Sequence, residues 1–317
     1  MNKHEFSVVV DELTDKFRLD FIGKTSNIIN GVSSFWNSRS NKLCFFSGPK
    51  LEFEKEQGNI DQNAIVIVPQ SFLNSLVRED VTFILTSNPR MTYAEILNFI
   101  ISITKKQDSA QNMDLRMEPS DFPGSYVSPT AVVESGAKIG QGCKIHAGVF
   151  LSRHCVLHEN VEILPNSVVG VDGTSHVTTA DGNYLQVPQF GKLMIHDNVK
   201  IGAQAVICRA AIEYTVIGMG CSIGHRAGIG HNCNIGKNVF VGAGVTVSGS
   251  VSIGASAWLG PGCTVVNKIL IGKYATVGSG SLVTKDVEEN KFVFGTPAAP
   301  IKFSEFHNQR LSSNKIF

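Results

Sequence analysis

The chain has 317 residues, 43% of them hydrophobic, and this length and composition predict a large buried core divided between two globular domains. Its 28 Lys and Arg against 27 Asp and Glu leave a net charge of +1 with no dense basic run, which excludes an electrostatic footprint for nucleic acid. No apolar run approaches the roughly 18 residues of a membrane span, and acidic residues stand where a signal peptide would be basic, so we expect a cytoplasmic protein.

Residues 1–110 contain no repeat and predict a small α/β domain. Apolar runs and helical spacing predict three strands and two helices, at Val8–Val10, Leu43–Phe46, Ala64–Val68, Pro69–Val77 and Thr92–Thr104. Residues 111–124 fall in a polar stretch that ends in Pro residues, and they are expected to form a linker.

Residues 125–303 are organised by an aliphatic residue that returns at every sixth position. The phase is kept without a miss from Ile217 to Val283, and most of these residues are followed by Gly. A period of six fits neither a helix nor a plain strand, so each hexad is a short strand plus a turn, and three hexads close one coil of about 18 residues. The sequence therefore predicts an all-β domain built as a parallel β-helix.

The repeat is broken at two places before its long regular run. Residues 171–194 are off-phase and rich in Gly, Thr and Asp, and four extra residues intervene near Glu213 and Tyr214. An insertion as long as 171–194 in a solenoid is expected to project as a loop on one face, where ligands usually bind. After the last hexad, residues 304–317 are expected to form a short tail.

Neither the Cys nor the His residues predict a metal site. The seven Cys form no CxxC pair, and five of them occupy the small interior position of a hexad, where a free thiol packs as a small hydrophobe: Cys143, Cys155, Cys221, Cys233 and Cys263. His225 and His231 are one hexad apart, so they lie on adjacent walls of one coil rather than side by side. That separation disfavours a shared metal ion.

The coil length also assigns a neighbour to His231. The residue one coil later is Gly249, at a break where Ser248 takes the usual Gly position. A Gly there lets a substrate approach the backbone closely, and its N–H can stabilise a tetrahedral oxyanion.

Several motifs in the middle of the chain resemble the bacterial UDP-3-O-(3-hydroxyacyl)glucosamine N-acyltransferases of lipid A synthesis. They are VVGVDG, NYLQVPQFGK, VKIGAQAVICRAAIEYTVIG and GIGHNCNIG. The earlier segment SNPRMTYAEILNF resembles the end of that family's uridine-binding domain, so the resemblance implies that residues 1–110 bind a nucleotide. It also implies an acceptor site, which we expect to contain Asp172, Gly173, His176, Gln189, Arg209 and His225.

From His231 onward the motifs resemble the nucleotide-sugar acetyltransferases that use acetyl-CoA, such as the bacillosamine and perosamine N-acetyltransferases. They are SGSVSIGASAWLGPGCTV, LIGKYATVGSGSLVTKDV and GTPAAPIK. Both families are left-handed β-helix homotrimers with active sites between subunits, so the resemblance implies the same handedness and a homotrimer here. For acetyl-CoA we expect backbone N–H groups and a cation along the last coils, at Trp258, Gly260, Gly278 and Lys285.

Departures from the lipid A enzymes favour a short acyl group. Thr174–Val177 stand in place of a Gly-Phe-Gly-Phe segment, Cys208 and Ala210 replace an Asp and a Gly, and Lys268 falls near the position of a second His. Those enzymes hold a carrier protein with a long C-terminal helix, whereas only 14 residues follow Phe303 here.

His231 matches the catalytic His of both families, and the implied chemistry requires such a residue. The amine of an amino sugar must lose a proton as it attacks a thioester carbonyl, and imidazole, with a pKa of about 6.5, accepts protons at neutral pH. The leading hypothesis is an N-acyltransferase that moves acetyl from acetyl-CoA to a nucleotide-linked amino sugar. The alternatives are N-acylation of UDP-3-O-acylglucosamine from an acyl carrier protein thioester, and a non-catalytic β-helix scaffold that binds nucleotide sugars.

Overall fold

The computed structural model describes residues 7–24, 26–107 and 117–300, which divide into two compact units. The N-terminal unit contains the described residues up to Gln107 together with Thr174–Phe190, and the β-helix unit contains Met117–Gly173 together with Gly191–Pro300. The expected tail 304–317 and residues 111–116 of the expected linker lie outside the described residues.

The N-terminal unit is a small α/β domain, as the sequence predicts. Its helices and strands are α1 Val10–Phe17, α2 Lys50–Glu56, α3 Pro89–Gln107, β1 Val8–Val9, β2 Asp20–Ile22, β3 Ile28–Ile29, β4 Leu43–Phe45, β5 Ile65–Pro69 and β6 Thr82–Thr86. Strands β6, β5 and β4 are parallel neighbours, and β2 pairs antiparallel with β6. The helix expected at Pro69–Val77 is present as a shorter 3-10 helix over Gln70–Ser75.

The β-helix unit consists of very short strands in a long series, and in chain order the hairpin of the N-terminal unit falls between two of them. In chain order the strands are β7 Tyr126–Val127, β8 Val132–Val133, β9 Lys138–Ile139, β10 Lys144–Ile145, β11 Phe150–Leu151, β12 Cys155–Leu157, β13 Glu162–Ile163 and β14 Val168–Val171, then the hairpin strands β15 His176–Thr178 and β16 Tyr184–Gln186, then β17 Lys192–Ile195, β18 Lys200–Ile201, β19 Val206–Cys208, β20 Tyr214–Ile217, β21 Ser222–Ile223, β22 Gly228–Ile229, β23 Asn234–Ile235, β24 Phe240–Val241, β25 Thr246–Val247, β26 Ser252–Ile253, β27 Trp258–Leu259, β28 Thr264–Val265, β29 Leu270–Ile271, β30 Thr276–Val277, β31 Leu282–Val283, β32 Phe292–Phe294 and β33 Ala299–Pro300.

Every third strand of this series joins the same parallel sheet, so the β-helix has three faces. Among the described residues the first face is β7, β10, β13, β18, β21, β24, β27, β30 and β32, with β33 added antiparallel at its end. The second face is β8, β11, β14, β19, β22, β25, β28 and β31, and the third is β9, β12, β17, β20, β23, β26 and β29. Aliphatic residues one coil apart pair directly, as Ile229 does with Val247, and both are buried. The predicted parallel β-helix is confirmed.

The Gly that follows most of the aliphatic residues is not there to adopt a left-handed turn conformation, since Gly230 carries no left-handed φ. A Cβ at Gly230 would lie 2.6 Å from the backbone nitrogen of Gly249, so Gly is needed because consecutive coils stack closely there. The left-handed conformation falls two residues later in the hexad, at Asn232 with φ 57° and at Asn238 with φ 56°.

The insertion forms a hairpin rather than an irregular loop. Strands β15 and β16 pair antiparallel, and Val177 and Val187 pack with Ala94 of helix α3. The side-chain amide of Asn98 in the same helix donates to the carbonyl of Gln186 at 2.9 Å. The Gly, Thr and Asp content of the segment predicts an irregular loop, whereas the hairpin depends on its spaced apolar residues.

The five interior Cys are buried and carry free thiols, as predicted. Several thiols donate to carbonyls on the next coil, as Cys233 Sγ does to the oxygen of Ser248 at 3.1 Å. Burial raises the pKa of Cys233 to about 11 and that of Cys263 to about 12. These thiols therefore stay protonated at neutral pH and act as small packing groups.

Two features are absent from the described part of the chain. No helix in it has both the length and the apolar character needed to cross a bilayer. The described residues also contain no group of three or more His, Cys, Asp or Glu side chains arranged to hold a metal ion.

Candidate active site

The turns that lead from the second face to the third form a row of stacked residues, which we call the second corner. Arg209, His231, Gly249 and Lys285 occupy it at the same place in their hexads, two residues after the buried aliphatic residue of β19, β22, β25 and β31. The backbone joins successive members, since Ser250 N–H donates to the His231 carbonyl at 2.8 Å. Side chains far apart in the sequence therefore line one edge of the β-helix.

The His231 ring lies between two glycines of this corner. A Cβ at Gly249 would lie 2.5 Å from Nε2 of His231, and a Cβ at Gly173 would lie 2.9 Å from Cδ2 of the same ring. Any larger residue at either position would displace the ring. Gly249 arrives from the following coil and Gly173 from the end of β14, so two separate segments leave room for one imidazole.

The other side of the ring is held by the next residue in the chain. Nδ1 of His231 lies 3.0 Å from Oδ1 of Asn232. Asn232 is fixed in turn, because its backbone N–H donates to Oγ1 of the buried Thr215 at 2.9 Å. Its side chain also bonds the backbone of Ala211 and Ile212.

Arg209 holds together the two ends of the insertion. The residue as a whole is only 8% exposed. Nε donates to Oδ1 of Asp172 at 2.6 Å, and Nη1 donates to the carbonyl of Gly191 at 2.9 Å. Asp172 precedes the hairpin segment and Gly191 follows it, so Arg209 fixes both stems beside Gly173 and His231. Burial and, to a smaller extent, the charge of Asp172 raise the pKa of the neighbouring Cys208 thiol.

The pairing of Arg209 with Asp172 bears on their expected role. Both residues are predicted to bind the acceptor, yet the structure shows the two side chains bonded to each other. Asp172 keeps a half-exposed side chain, whereas Arg209 is almost fully enclosed. An acceptor role for Asp172, Gly173 and Arg209 stays a prediction.

His225 lies at another corner of the β-helix. It follows β21 of the first face, at the turns that lead from the first face to the second, which we call the first corner. Its Nδ1 accepts a hydrogen bond from the backbone N–H of Ala203 at 2.9 Å. Within one chain the structure therefore does not bring His225 beside His231.

The residues expected to bind acetyl-CoA are spread over three places. Lys285 is exposed at the second corner, three coils beyond His231. Gly260 and Gly278 lie at the first corner, and a Cβ at Gly278 would collide with Phe294. Trp258 points outward from the first face and stacks on Phe240, with ring centroids 5.6 Å apart. A single chain does not gather these four residues, and their binding role stays a prediction.

His176 and Gln189 belong to the hairpin segment, which clusters with the N-terminal unit. His176 is exposed, and its ring packs edge-on against Tyr184 with centroids 4.5 Å apart. Gln189 is buried, with its amide nitrogen donating to the carbonyl of Val187 at 2.7 Å. Within the part of the chain that the structure describes, its Oε1 has no hydrogen-bond partner. An acceptor-binding role for both residues stays a prediction.

Sequence reasoning missed Asn232 and the residues that fix it. The sequence holds the signal, because Asn232 directly follows His231 and the four extra residues before Tyr214 break the phase. Their connection depends on how a bulge folds back onto the next coil, and the period of six does not describe a bulge.

Comparisons with known proteins agree with this fold. Residues 214–249 match the family described as Bacterial transferase hexapeptide (six repeats). The UDP-3-O-acylglucosamine N-acyltransferase of Polynucleobacter asymbioticus is 23% identical over 245 residues, which cover 68% of this chain and 68% of that protein.

Solved structures give the same picture of the fold. The UDP-N-acetylglucosamine acyltransferase of Francisella novicida superposes with a TM-score of 0.51 and 23% identity, over 60% of this chain and 70% of that chain. A perosamine N-acetyltransferase from Caulobacter crescentus, solved as a variant with CoA and GDP-perosamine, covers 82% of this chain and 96% of its own. Its TM-score is 0.23 and its identity 15%, values too low to support a comparison of either fold or site.

The β-helix, the matching repeats at residues 214–249 and the curated relative make the chain similar to the β-helix acyltransferases of the hexapeptide-repeat type. Among individual proteins, it is similar to the UDP-3-O-acylglucosamine N-acyltransferase of Polynucleobacter asymbioticus, at 23% identity.

Proposed function

We propose that the chain is an N-acyltransferase that carries an acyl group from a thioester to the amine of a nucleotide-linked amino sugar, with His231 as general base. The observation that carries the proposal is the seating of the His231 ring between Gly173 and Gly249 with Nδ1 on Asn232. That arrangement fixes the ring and directs Nε2 toward a corner that has no side chain at Gly249.

The chemistry needs one base and one donor to the oxyanion. The acceptor amine attacks the thioester carbonyl, and Nε2 of His231 takes the proton that the nitrogen loses. The backbone N–H of Gly249 is the proposed donor to the oxygen that becomes negative. The tetrahedral intermediate then collapses to an amide and a thiolate, and the imidazolium returns the proton to the thiolate sulfur.

We propose acetyl-CoA as the donor. Support comes from the exposed Lys285, which lies on the same corner as His231 and offers a cation for phosphate. In the proposed homotrimer, the first corner of one subunit lies beside the second corner of its neighbour. The donor surface then also contains Trp258, which stacks on Phe240, and the glycines of the first corner.

A second candidate is N-acylation of UDP-3-O-acylglucosamine from an acyl carrier protein thioester. The name of the curated relative, which is aligned over 68% of this chain, favours this acceptor. The same His231 chemistry would serve both candidates, so only the substrates distinguish them.

The deciding experiment is thiol release from acetyl-CoA and from a hydroxyacyl carrier protein, each offered to a panel of UDP- and dTDP-amino sugars. Sugars with a hydroxyl in place of the amine are the matched acceptors. We expect release with acetyl-CoA and an amine acceptor only. Release from the carrier protein alone would favour the second candidate, and release with neither donor, together with nucleotide-sugar binding, would favour the scaffold.

We also propose a homotrimer, a nucleotide-binding role for the N-terminal unit and a cytoplasmic location. In a trimer, a neighbouring subunit lies against each second corner. The substrate cleft then forms between the two subunits, beside the solvent-facing side of His231. Light scattering should therefore give three times the 34.3 kDa of one chain. A monomer at micromolar concentration would contradict the trimer.

A further inference from the structure

The side-chain amide of Asn232 can be oriented in only one way. The backbone N–H of Ala211 lies 2.9 Å from one end of the amide, and the carbonyl of Ile212 lies 2.8 Å from the other. A backbone N–H can only donate and a carbonyl can only accept, so the first end is Oδ1 and the second is Nδ2. Oδ1 is also the atom that lies 3.0 Å from Nδ1 of His231.

This orientation determines where the proton lies on the ring of His231. Oδ1 of an amide accepts hydrogen bonds and cannot donate, so Nδ1 of His231 carries the hydrogen between them. A neutral imidazole has one N–H, which leaves the lone pair on Nε2. Nε2 is the ring atom beside Gly249, where a Cβ would lie 2.5 Å away.

We infer that Asn232 is a positioning residue, which holds His231 in the Nδ1–H tautomer and so makes Nε2 the basic nitrogen. The inference rests on the proposed function of His231 as general base. Asn232 does not touch the reacting atoms in this account. It acts through His231, by fixing which nitrogen accepts the proton of the acceptor amine.

The four extra residues Ala210–Glu213, which we call the bulge, supply the groups that orient Asn232. The last residue of the bulge, Glu213, is held by the chain after the insertion, because its carbonyl accepts from the Lys192 N–H at 2.7 Å. The two middle residues contact the Asn232 amide through the Ala211 N–H and the Ile212 carbonyl. The bulge therefore fixes the direction of the amide, which a regular hexad would leave unset.

Asn meets every requirement of this position. Its backbone is left-handed with φ 57°, a conformation that Asn tolerates better than most residues. Its side chain accepts at one end and donates at the other. An aspartate would keep the acceptor for His231 but would present a second oxygen to the Ile212 carbonyl. A glycine would fit the backbone but would lose all three side-chain hydrogen bonds.

The direct test is the tautomer of His231 in the full-length protein labelled with ¹⁵N-histidine. The His231 resonances are assigned by their loss in His231→Ala. In the wild-type protein we expect the neutral ring to be protonated on Nδ1. In Asn232→Gly we expect the proton to move to Nε2, which a free histidine ring favours.

Activity supplies the second readout. We expect Asn232→Gly to lower kcat about tenfold to a hundredfold, as losses of orienting partners commonly do, with the acceptor KM changed less than about twofold. Asn238→Gly is the matched control, because Asn238 has the same hexad position and a φ of 56° but does not follow a His. It should retain wild-type kcat.

Asn232→Asp separates positioning from folding. The introduced carboxylate would keep the Nδ1–H tautomer and add a negative charge beside the ring, so the acid limb of the pH–rate profile should move up by about one pH unit. Above that limb, kcat should recover toward the wild-type value. A purely structural role would instead give the same loss at every pH for both substitutions.

Two results would overturn the inference. One is a wild-type His231 ring protonated on Nε2, and the other is an Asn232→Gly protein as active as Asn238→Gly. Failure of the proposed function gives a different result from failure of this inference. If His231→Ala is active, His231 is not the general base, but the wild-type spectrum would still show the Nδ1–H tautomer. If Asn232→Gly does not fold, the wild-type spectrum and Asn232→Asp still decide.

Discussion

His225 and His231 form a comparison within one coil of the β-helix. Each follows an Ile-Gly pair, and each precedes a residue with a left-handed φ of 57°. Yet Nδ1 of His225 accepts from the Ala203 N–H at 2.9 Å, whereas Nδ1 of His231 faces Oδ1 of Asn232 at 3.0 Å. The first ring therefore carries its proton on Nε2 when neutral, and the second carries it on Nδ1.

The difference shows where a repeat protein acquires chemistry. The hexad gives both His residues the same backbone, so the repeat alone cannot distinguish a base from a surface residue. The surroundings of His231 come from the two breaks in the repeat. The insertion brings Gly173 against the ring, and the bulge fixes Asn232 on its other side.

Removing the ring at the second corner should have the largest effect. We expect His231→Ala to lower turnover by roughly a hundredfold to ten-thousandfold with little change in acceptor affinity, because the lost step is proton transfer in the transition state. Steady-state kinetics with the acceptor identified by the substrate panel measures this. Turnover above about a tenth of the wild-type value would contradict the base assignment.

The space beside the ring gives the next largest effect. Gly249→Ala would place a Cβ 2.5 Å from Nε2, so the ring must move and the proposed oxyanion donor moves with it. We expect turnover to fall roughly a hundredfold, the loss typical of one oxyanion donor. Gly228→Ala is the control, since a Cβ there meets nothing within 4 Å.

Thermal unfolding and light scattering should be unchanged in Gly228→Ala, which also tests that the control leaves the assembly intact. If Gly249→Ala keeps more than about half of wild-type turnover, the ring does not need its observed position. Crystals of that variant would then show how the ring and the Cβ share the corner.

The strict period made the fold predictable from sequence, because each hexad specifies one short strand, one buried aliphatic residue and one turn. The distance of one coil also placed Gly249 after His231 along the corner. The period could not predict the hairpin, because its packing against α3 depends on Val177, Leu185 and Val187, which lie in a region without a repeat. It also could not predict Asn232, whose partners lie in the bulge.

A substitution at the first corner should lower kcat less than the two substitutions at the second corner. His225→Ala removes the acceptor for the Ala203 N–H, and we expect kcat to stay within about threefold of the wild-type value because Nε2 of His225 already carries its proton. A contact with the acceptor sugar would show as a higher KM alone. A loss in kcat comparable to that of His231→Ala would mean that the two corners act together.

The smallest expected effect is on stability rather than on activity, and it concerns a buried thiol in the interior of the coil. Burial raises the pKa of the Cys233 thiol to about 11 from the ordinary value of 9.0. The folded state therefore keeps a proton that the unfolded state loses, so this contribution to stability is complete below pH 9 and is lost as pH rises toward 11. The free energy of unfolding should fall by up to about 1.4 kcal/mol per pH unit in that window.

Cys233→Ala tests this, because groups that titrate in both proteins cancel when the two are compared. Urea unfolding from about pH 7 to about pH 10.5 should show the wild-type protein losing its advantage over the variant above about pH 9. At about pH 7 the variant should be less stable by about 1 kcal/mol from lost packing. Parallel curves across the whole range would mean that the thiol ionises equally in both states, and hence that the coil interior admits water.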